Sequence, residues 1–177
     1  MGGCDKKRSS GLLIDPNDLF LTKQKPTMYT GLIHTHSLLR YLVLILLILV
    51  IINALLGIIN KKPFGKTDNL LGLSLFSVTH TQLLVALMLY FVSPHVSFGP
   101  DTMKNADLRY WTVEHSLMMF IAIVFITLAR ITAKKLKDDV AKHSRILIFN
   151  AIALVLILAA IASSQRGFFS MPGSSAS

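Results

Sequence analysis

The sequence has little cysteine, few acidic residues and no long polar stretch that could surround a soluble core. Cys4 is the only cysteine among 177 residues, which excludes an internal disulfide, a thiolate metal cluster and CxxC-type haem attachment within the chain. There is no recognisable serine–histidine–aspartate set, phosphate-binding glycine loop or carboxylate pair. Hydrolase and nucleotide chemistry therefore have no candidate residues.

Apolar residues dominate instead. They make up 53% of the chain, and the mean hydropathy is +0.59, values typical of membrane proteins. A spanning helix needs about 20 mostly apolar residues, and lipid offers no partner for an open backbone. The sequence therefore predicts an all-α, single-domain bundle of four transmembrane helices, and no soluble catalytic domain. The predicted spans are 32–59, 70–92, 111–133 and 146–162.

The net charge of +9 could indicate nucleic-acid binding, but the placement of the charges argues against that partner. Basic residues gather at the first and third connections between the predicted helices, whereas the second connection has only Lys104 and Arg109. Alternation of this kind orients membrane proteins, so we expect the first and third connections in the cytoplasm and both termini outside. The nine basic residues at these two connections are Lys61, Lys62, Lys66, Arg130, Lys134, Lys135, Lys137, Lys142 and Arg145.

The ends of the chain differ in composition from the middle. Residues 1–27 are polar, lack the apolar core of a secretion signal and include two prolines. We expect them to form a disordered or non-native arm, with Met28 as a natural start. If the chain is counted from Met28, the basic residues of the arm no longer add to the outer side, and the difference in positive charge between the two sides of the membrane is larger. Residues 28–166 would then form the membrane domain and residues 167–177 a flexible tail.

Six histidines are the main candidates for chemistry. His95 and His143 fall in predicted connections, where a turn residue and a solvated loop residue are expected. The other four lie in or near the apolar runs, where polar side chains are costly and tend to face the bundle interior or water. These four are His34, His36, His80 and His115.

Depth separates the candidate ligands. At about 1.5 Å per residue, His36 and His115 each lie roughly 5–6 Å inside the outer ends of their helices, and His80 lies about 18 Å inside its own. Facing helices of a bundle can ligate a haem iron through two imidazoles. His36, His80 and His115 are thus the candidate metal ligands. His36 and His115 are the best matched in level, since a pair with His80 requires tilted helices or other boundaries.

Helical spacing adds neighbours to these ligands. Arg40 lies four residues after His36 and would place a cation suited to a carboxylate beneath it. Trp111 lies four residues before His115 and shares its face. His34 and His36 point about 200° apart, so His34 is predicted at the level of the lipid headgroups, although it remains a candidate for cofactor binding.

Two alternatives remain open from the residues alone. Histidine and methionine side chains suit a copper site or carrier, although methionines in a bundle more often fill the core. Small residues that permit close helix contacts would also suit a non-catalytic subunit packed against a larger complex. The copper candidates are His34, His36, His115, Met118 and Met119, and the small residues are Ala54, Gly57, Gly72 and Ala86.

Several stretches together resemble the short four-helix bacterial membrane proteins of the cytochrome b type, over roughly residues 28–162. The resemblance implies a b-type haem held by histidines, a multi-pass protein of the bacterial inner membrane, and electron transfer, alone or as a respiratory-complex subunit exchanging electrons with the quinone pool. Its first-helix histidines match His34 and His36, and the others match His80 and His115. The stretches are "GLIHTHSLLRY", "THTQLLVALMLYFVSP", "MKNADLRYWTVEHSLMMFIAIVFITLAR" and "DDVAKHSRILIFNAIALVLIL".

Overall fold

The computed structural model describes residues 16–93, 96, 98–100 and 102–164, with side chains from Met28 onward. In this part of the chain the structure is all-helical, as predicted. We number the helices α1 (Pro16–Ile59), α2 (Lys66–Val92), α3 (Ala106–Ala133) and α4 (Asp139–Ser163). Helix α3 contains a π-helical turn, Tyr110–Glu114, between two α-helical parts.

All four helices are long and apolar enough to cross a membrane, which confirms the predicted four-span bundle. The span within α1 runs Met28–Ile59, and the other spans coincide with the whole of α2, α3 and α4. Large apolar side chains such as Leu84, Phe91 and Val155 are exposed on the outer faces of the helices. Exposed apolar faces of this extent indicate contact with a lipid bilayer.

Helix α1 starts earlier than the sequence predicted. It begins at Pro16, so the backbone of residues 16–27 is helical where an irregular arm was expected. Proline suits the first turn of a helix because its fixed φ is helical and its missing N–H would have no partner there. Residues 1–15 and the tail 167–177 lie outside the described residues, and whether residues 1–27 belong to the natural protein stays a prediction.

Side-chain caps define where the other helices begin. Asp138 precedes α4, and its carboxylate accepts a hydrogen bond from the backbone N–H of Ala141 at 2.7 Å. Asp68 in the first turn of α2 accepts from the backbone N–H of Gly65 at 2.7 Å. Such caps satisfy N–H groups that have no partner within the helix. They add one or two turns to the helices at the ends where the sequence is polar.

The helices pack in a ring. Helix α4 packs against both α3 and α1, and α1 also packs against α2, whereas the contact between α2 and α3 is smaller. Helices α1 and α3 therefore lie diagonally across the bundle, and the seam between α2 and α3 is the most open.

Each helix contributes one inward stripe with a spacing of three or four residues, the period of an α-helix face. Small residues in the stripes allow close approach of the helices, and the two ends of each stripe become polar. We call the end with connections 60–65 and 134–138 the basic end, and the other the opposite end. The apolar stripe residues are Val43, Leu47, Val50 and Ala54 of α1, Leu75 of α2, Ala122, Ile126, Ala129 and Ala133 of α3, and Ile146, Ala153, Ile157 and Ala160 of α4.

Candidate functional site

His36 and Arg40 extend the inward stripe of α1 toward the opposite end of the bundle. They precede the buried Val43 and Leu47 at the same three- or four-residue spacing, so both side chains share the face that points into the bundle. The Nδ1 atom of His36 and the Nε atom of Arg40 are buried without a hydrogen-bond partner. Unpartnered buried polar atoms are uncommon in native proteins and call for an explanation.

Gln82 of α2 lies directly opposite His36. Its side-chain amide donates to the backbone carbonyl oxygen of His36 at 3.1 Å and lies 3.4 Å from the ring atom Nε2. The second distance is long for a hydrogen bond, so the imidazole is only weakly held. The Oε1 atom of Gln82 is itself buried without a partner.

The π-helical turn shapes the surroundings of His115. The backbone N–H of His115 donates to the carbonyl of Tyr110, five residues earlier, and this wider turn brings two side chains together that an α-helix would separate. The Tyr110 hydroxyl lies 3.4 Å from Nδ1 of His115. It also donates to the carbonyl oxygen of Ala160 at 2.5 Å, which ties the turn to α4.

Trp111 lies beside His115, as its four-residue spacing predicts. The two ring centroids are 5.3 Å apart with the rings tilted at 52°, and the indole Nε1 donates to the carboxylate of Asp107 at 3.0 Å. Tyr110 and Trp111 pack edge to face. His115 is therefore enclosed on one side by two aromatic rings of its own helix.

His36 and Arg40 of α1 and His115 of α3 lie in the opposite half of the bundle, and we call them the histidine cluster. The three side chains are close enough for their charges to interact. Arg40 also donates to the hydroxyl of Tyr41 at 3.0 Å.

His80, the deepest candidate, lies at the edge of the inward face. Its Nδ1 atom is 2.8 Å from the carbonyl oxygen of Phe76 in the same helix, and the two rings are 4.1 Å apart. The adjacent residue Thr79 is buried in the core, 3% exposed, whereas His80 is only half-buried. Both of these contacts join His80 to Phe76 of its own helix.

The copper candidates do not all face one site. His34 is exposed, on the side of α1 away from His36, and Met119 packs against the apolar core. Within the described residues, no three histidine, cysteine, aspartate or glutamate side chains converge as a metal site would require. His95 lies outside the described residues.

The expectation that His143 is a solvated loop residue is wrong. It lies in the first turns of α4 and is 1% exposed, with its ring 5.2 Å from that of Phe64. The error follows from the predicted start of the fourth helix at residue 146. Had the Asp138 cap been recognised, the spacing of His143 from Ile146 and Asn150 would have placed it on the inward stripe.

Small residues of the bundle serve its own packing. Ala54 is 1% exposed, and a Cβ added at Gly57 would meet ring atoms of His143 at 2.5 Å. A Cβ added at Gly72 would meet Arg130 Nη1 at 3.2 Å. Ala54, Gly57 and Gly72 thus lie against other parts of the same bundle.

Comparisons of the chain with known protein families, with curated proteins and with solved structures find no match. The resemblance to cytochrome b proteins therefore stays a prediction, and the candidate site is judged on its own geometry.

Proposed function

We propose that this chain is a b-type cytochrome that carries electrons in a membrane, with His36 and His115 as the two axial ligands of a haem. The observation that carries the proposal is that these two imidazoles lie in the same half of the bundle, on diagonally placed helices, close enough to each other and to Arg40 for their charges to interact. Cofactor sites in helix bundles are commonly built from side chains of facing helices.

The donor set fits a haem. Two neutral imidazoles suit the binding of a haem iron. One ring nitrogen of His36 has no hydrogen-bond partner, and the other is 3.4 Å from the Gln82 amide, a long and therefore weak hydrogen bond. The unpartnered Nε of Arg40 offers a hydrogen bond to a carboxylate such as a haem propionate, in the planar geometry that guanidinium groups favour. Trp111 and Tyr110 supply flat apolar surface beside His115.

A bound haem would supply an iron that accepts and releases one electron. His36 and His115 would hold the group, the bundle would exclude water from it, and Arg40 would bind its carboxylates. An apolar surrounding would tune the potential of such an iron. The role proposed is that of an electron carrier rather than of a stand-alone enzyme. Electron partners would be the quinone pool or subunits of a respiratory complex.

We place the chain in the bacterial inner membrane, as the resemblance to cytochrome b proteins implies. The charge pattern supports an orientation with the basic end in the cytoplasm. Both termini and the histidine cluster would then lie toward the periplasmic side. A cofactor near that surface could exchange electrons with a partner there.

We prefer haem to copper as the cofactor. The copper set included His34, which is exposed and on another side of the helix, whereas the haem proposal uses only His36 and His115. The absorption spectrum of the purified protein, oxidised and after dithionite reduction, tests the proposal. We expect a sharp low-spin α band at the b-type position. A colourless protein that binds copper stoichiometrically would contradict it.

A further inference from the structure

A second polar cluster lies at the basic end, far from the histidine cluster. It surrounds a cavity of about 30 Å³. Residues of α2 and α3 line one side, where the helix contact is smallest, and residues of α1 and α4 line the other. The polar lining includes Asn53, Asp68, Arg130, His143 and Asn150.

Two deeply buried side chains in this lining have unpartnered polar atoms. Both ring nitrogens of His143, which is 1% exposed, are without a partner. Asn150 is 2% exposed. Its amide donates to the carbonyl of Ile146 at 2.8 Å, and its Oδ1 has no partner. A neutral imidazole always has one donor and one acceptor nitrogen, and leaving such groups unpaired costs about 1–3 kcal/mol each.

Asp68 supplies a buried negative charge to the same cavity. It is 5% exposed and accepts hydrogen bonds from Asn53 Nδ2 at 2.6 Å and from the backbone N–H of Gly65 at 2.7 Å. A carboxylate has about four acceptor positions, so it can accept further bonds. Its charge interacts with His143.

The basic groups around the cavity are partly engaged elsewhere. Arg130 donates to the carbonyl oxygen of Asn69 at 3.3 Å, and Lys142 forms an ion pair with Asp139 at 2.6 Å. Asp68 is the acidic residue among those that line the cavity, and Asp139 lies outside the lining. The charged residues that line the cavity are Asp68, Arg130 and Lys134. Asp139 lies close enough to His143 for their charges to interact, and Lys62 and Lys142 interact with Asp68 and Asp139 respectively.

We propose that this cavity is a hydrated proton-binding site, in which water links the ring of His143 to Asn150 and Asp68 and His143 takes up a proton from the aqueous side of the basic end. One water needs roughly 10–15 Å³ and two to four polar partners, so the cavity has room for about two. In the transfer an O–H bond of a protonated water breaks, an N–H bond forms on the imidazole, and no oxidation state changes. Asp68 balances the imidazolium charge.

The proposal does not depend on a haem, since no residue of the cavity belongs to the histidine cluster. It can be tested on the full chain in lipid nanodiscs, with ¹⁵N-labelled histidine and resonances assigned through the His143→Gln variant. We expect the ring of His143 to gain a proton as the pH of the sample is lowered. We also expect magnetisation transfer from water to this ring.

Asp68→Asn keeps the shape of the side chain and removes its charge. It should reduce the protonated fraction of His143 several-fold at about pH 6, because the imidazolium loses a nearby counter-charge in a poorly screened site. Asp139→Asn is the matched control at the helix start, where solvent screens the charge, and should have a smaller effect. If Asp68→Asn fails to fold, Asn150→Leu provides the second variant and should weaken the transfer from water.

A ring that stays neutral down to about pH 5 without exchange with water would overturn the proposal. So would equal effects of Asp68→Asn and Asp139→Asn, because the carboxylate of the cavity would then have no special role.

Discussion

Gly57 of α1 lies directly against the imidazole of His143 of α4, so closely that a Cβ at position 57 would meet three ring atoms at 2.5–2.7 Å. The ring occupies the space that any other side chain would fill, and the Phe64 ring lies beside it. This contact sets how near α1 and α4 approach at the basic end. It also holds the ring of His143, whose two nitrogens have no hydrogen-bond partner.

Gly57→Ala should therefore destabilise the protein, because the buried ring must move to admit a methyl group. The expected loss is about 1–3 kcal/mol, as for other overpacked cores. Gly31→Ala is the matched control, since nothing lies within 4 Å of its added Cβ, and it should be neutral or stabilising by up to about 1 kcal/mol. Unfolding of both variants in the same detergent measures the difference. Equal stabilities would contradict the close packing.

Removing the amide that holds Asp68 should also destabilise the bundle. Asn53→Ala leaves Oδ1 of a buried carboxylate without its 2.6 Å donor, which costs about 1–3 kcal/mol or more for a charged group. Asn69→Ala changes an exposed side chain of the same type and should stay within about 0.5 kcal/mol of the parent. Thermal unfolding compares the two, and an Asn53→Ala protein as stable as Asn69→Ala would refute the role of this bond.

The proposed axial ligands make a prediction about four histidines. His36→Ala and His115→Ala should each abolish the low-spin spectrum or convert it to high spin, because a six-coordinate iron loses one axial bond. His34→Ala and His80→Ala should leave it unchanged. Added imidazole should restore low spin in the first two variants, which a merely structural defect would not allow. Loss of the spectrum in His80→Ala with an intact His115→Ala spectrum would move the ligand to α2.

Arg40 is predicted to hold an anionic group of the cofactor. Arg40→Leu should lower the haem content of the purified protein, because a carboxylate without a partner is costly near lipid. Arg40→Lys should recover only part of it, since an ammonium lacks the planar fork of a guanidinium. Haem content per chain can be measured by the pyridine haemochrome spectrum. Equal content in all three proteins would exclude a propionate contact.

The membrane orientation can be tested with single cysteines in a Cys4→Ser background. A cysteine at Lys62 or Lys137 should be closed to an impermeant thiol reagent in intact cells, because both belong to the basic connections. A cysteine at Asn105 should react. All three side chains are exposed in the structure, so differences in labelling report the side of the membrane. The reverse pattern would place the histidine cluster on the cytoplasmic side.

Apolar length alone was enough to predict the four helices, because about 20 apolar residues can satisfy their backbone in lipid only as a helix. Helical spacing likewise placed Arg40 with His36 and Trp111 with His115, since residues four apart share a face. Helix ends were predicted less well, because caps such as Asp138 are polar and extend helices beyond their apolar part. His143 was misassigned for this reason.

Which side chains meet was decided by the tertiary structure. The ring order of the helices places α1 and α3 on a diagonal, and the π-turn brings Tyr110 to His115. Gln82, rather than His80, faces His36, and Asn53 of α1 reaches Asp68 of α2. The sequence by itself determined that polar groups would be few and inside a helical bundle. The partners of Gln82 and Asn53 depended on how helices distant in sequence pack, because His36 and Asp68 belong to other helices and no local pattern encodes those contacts.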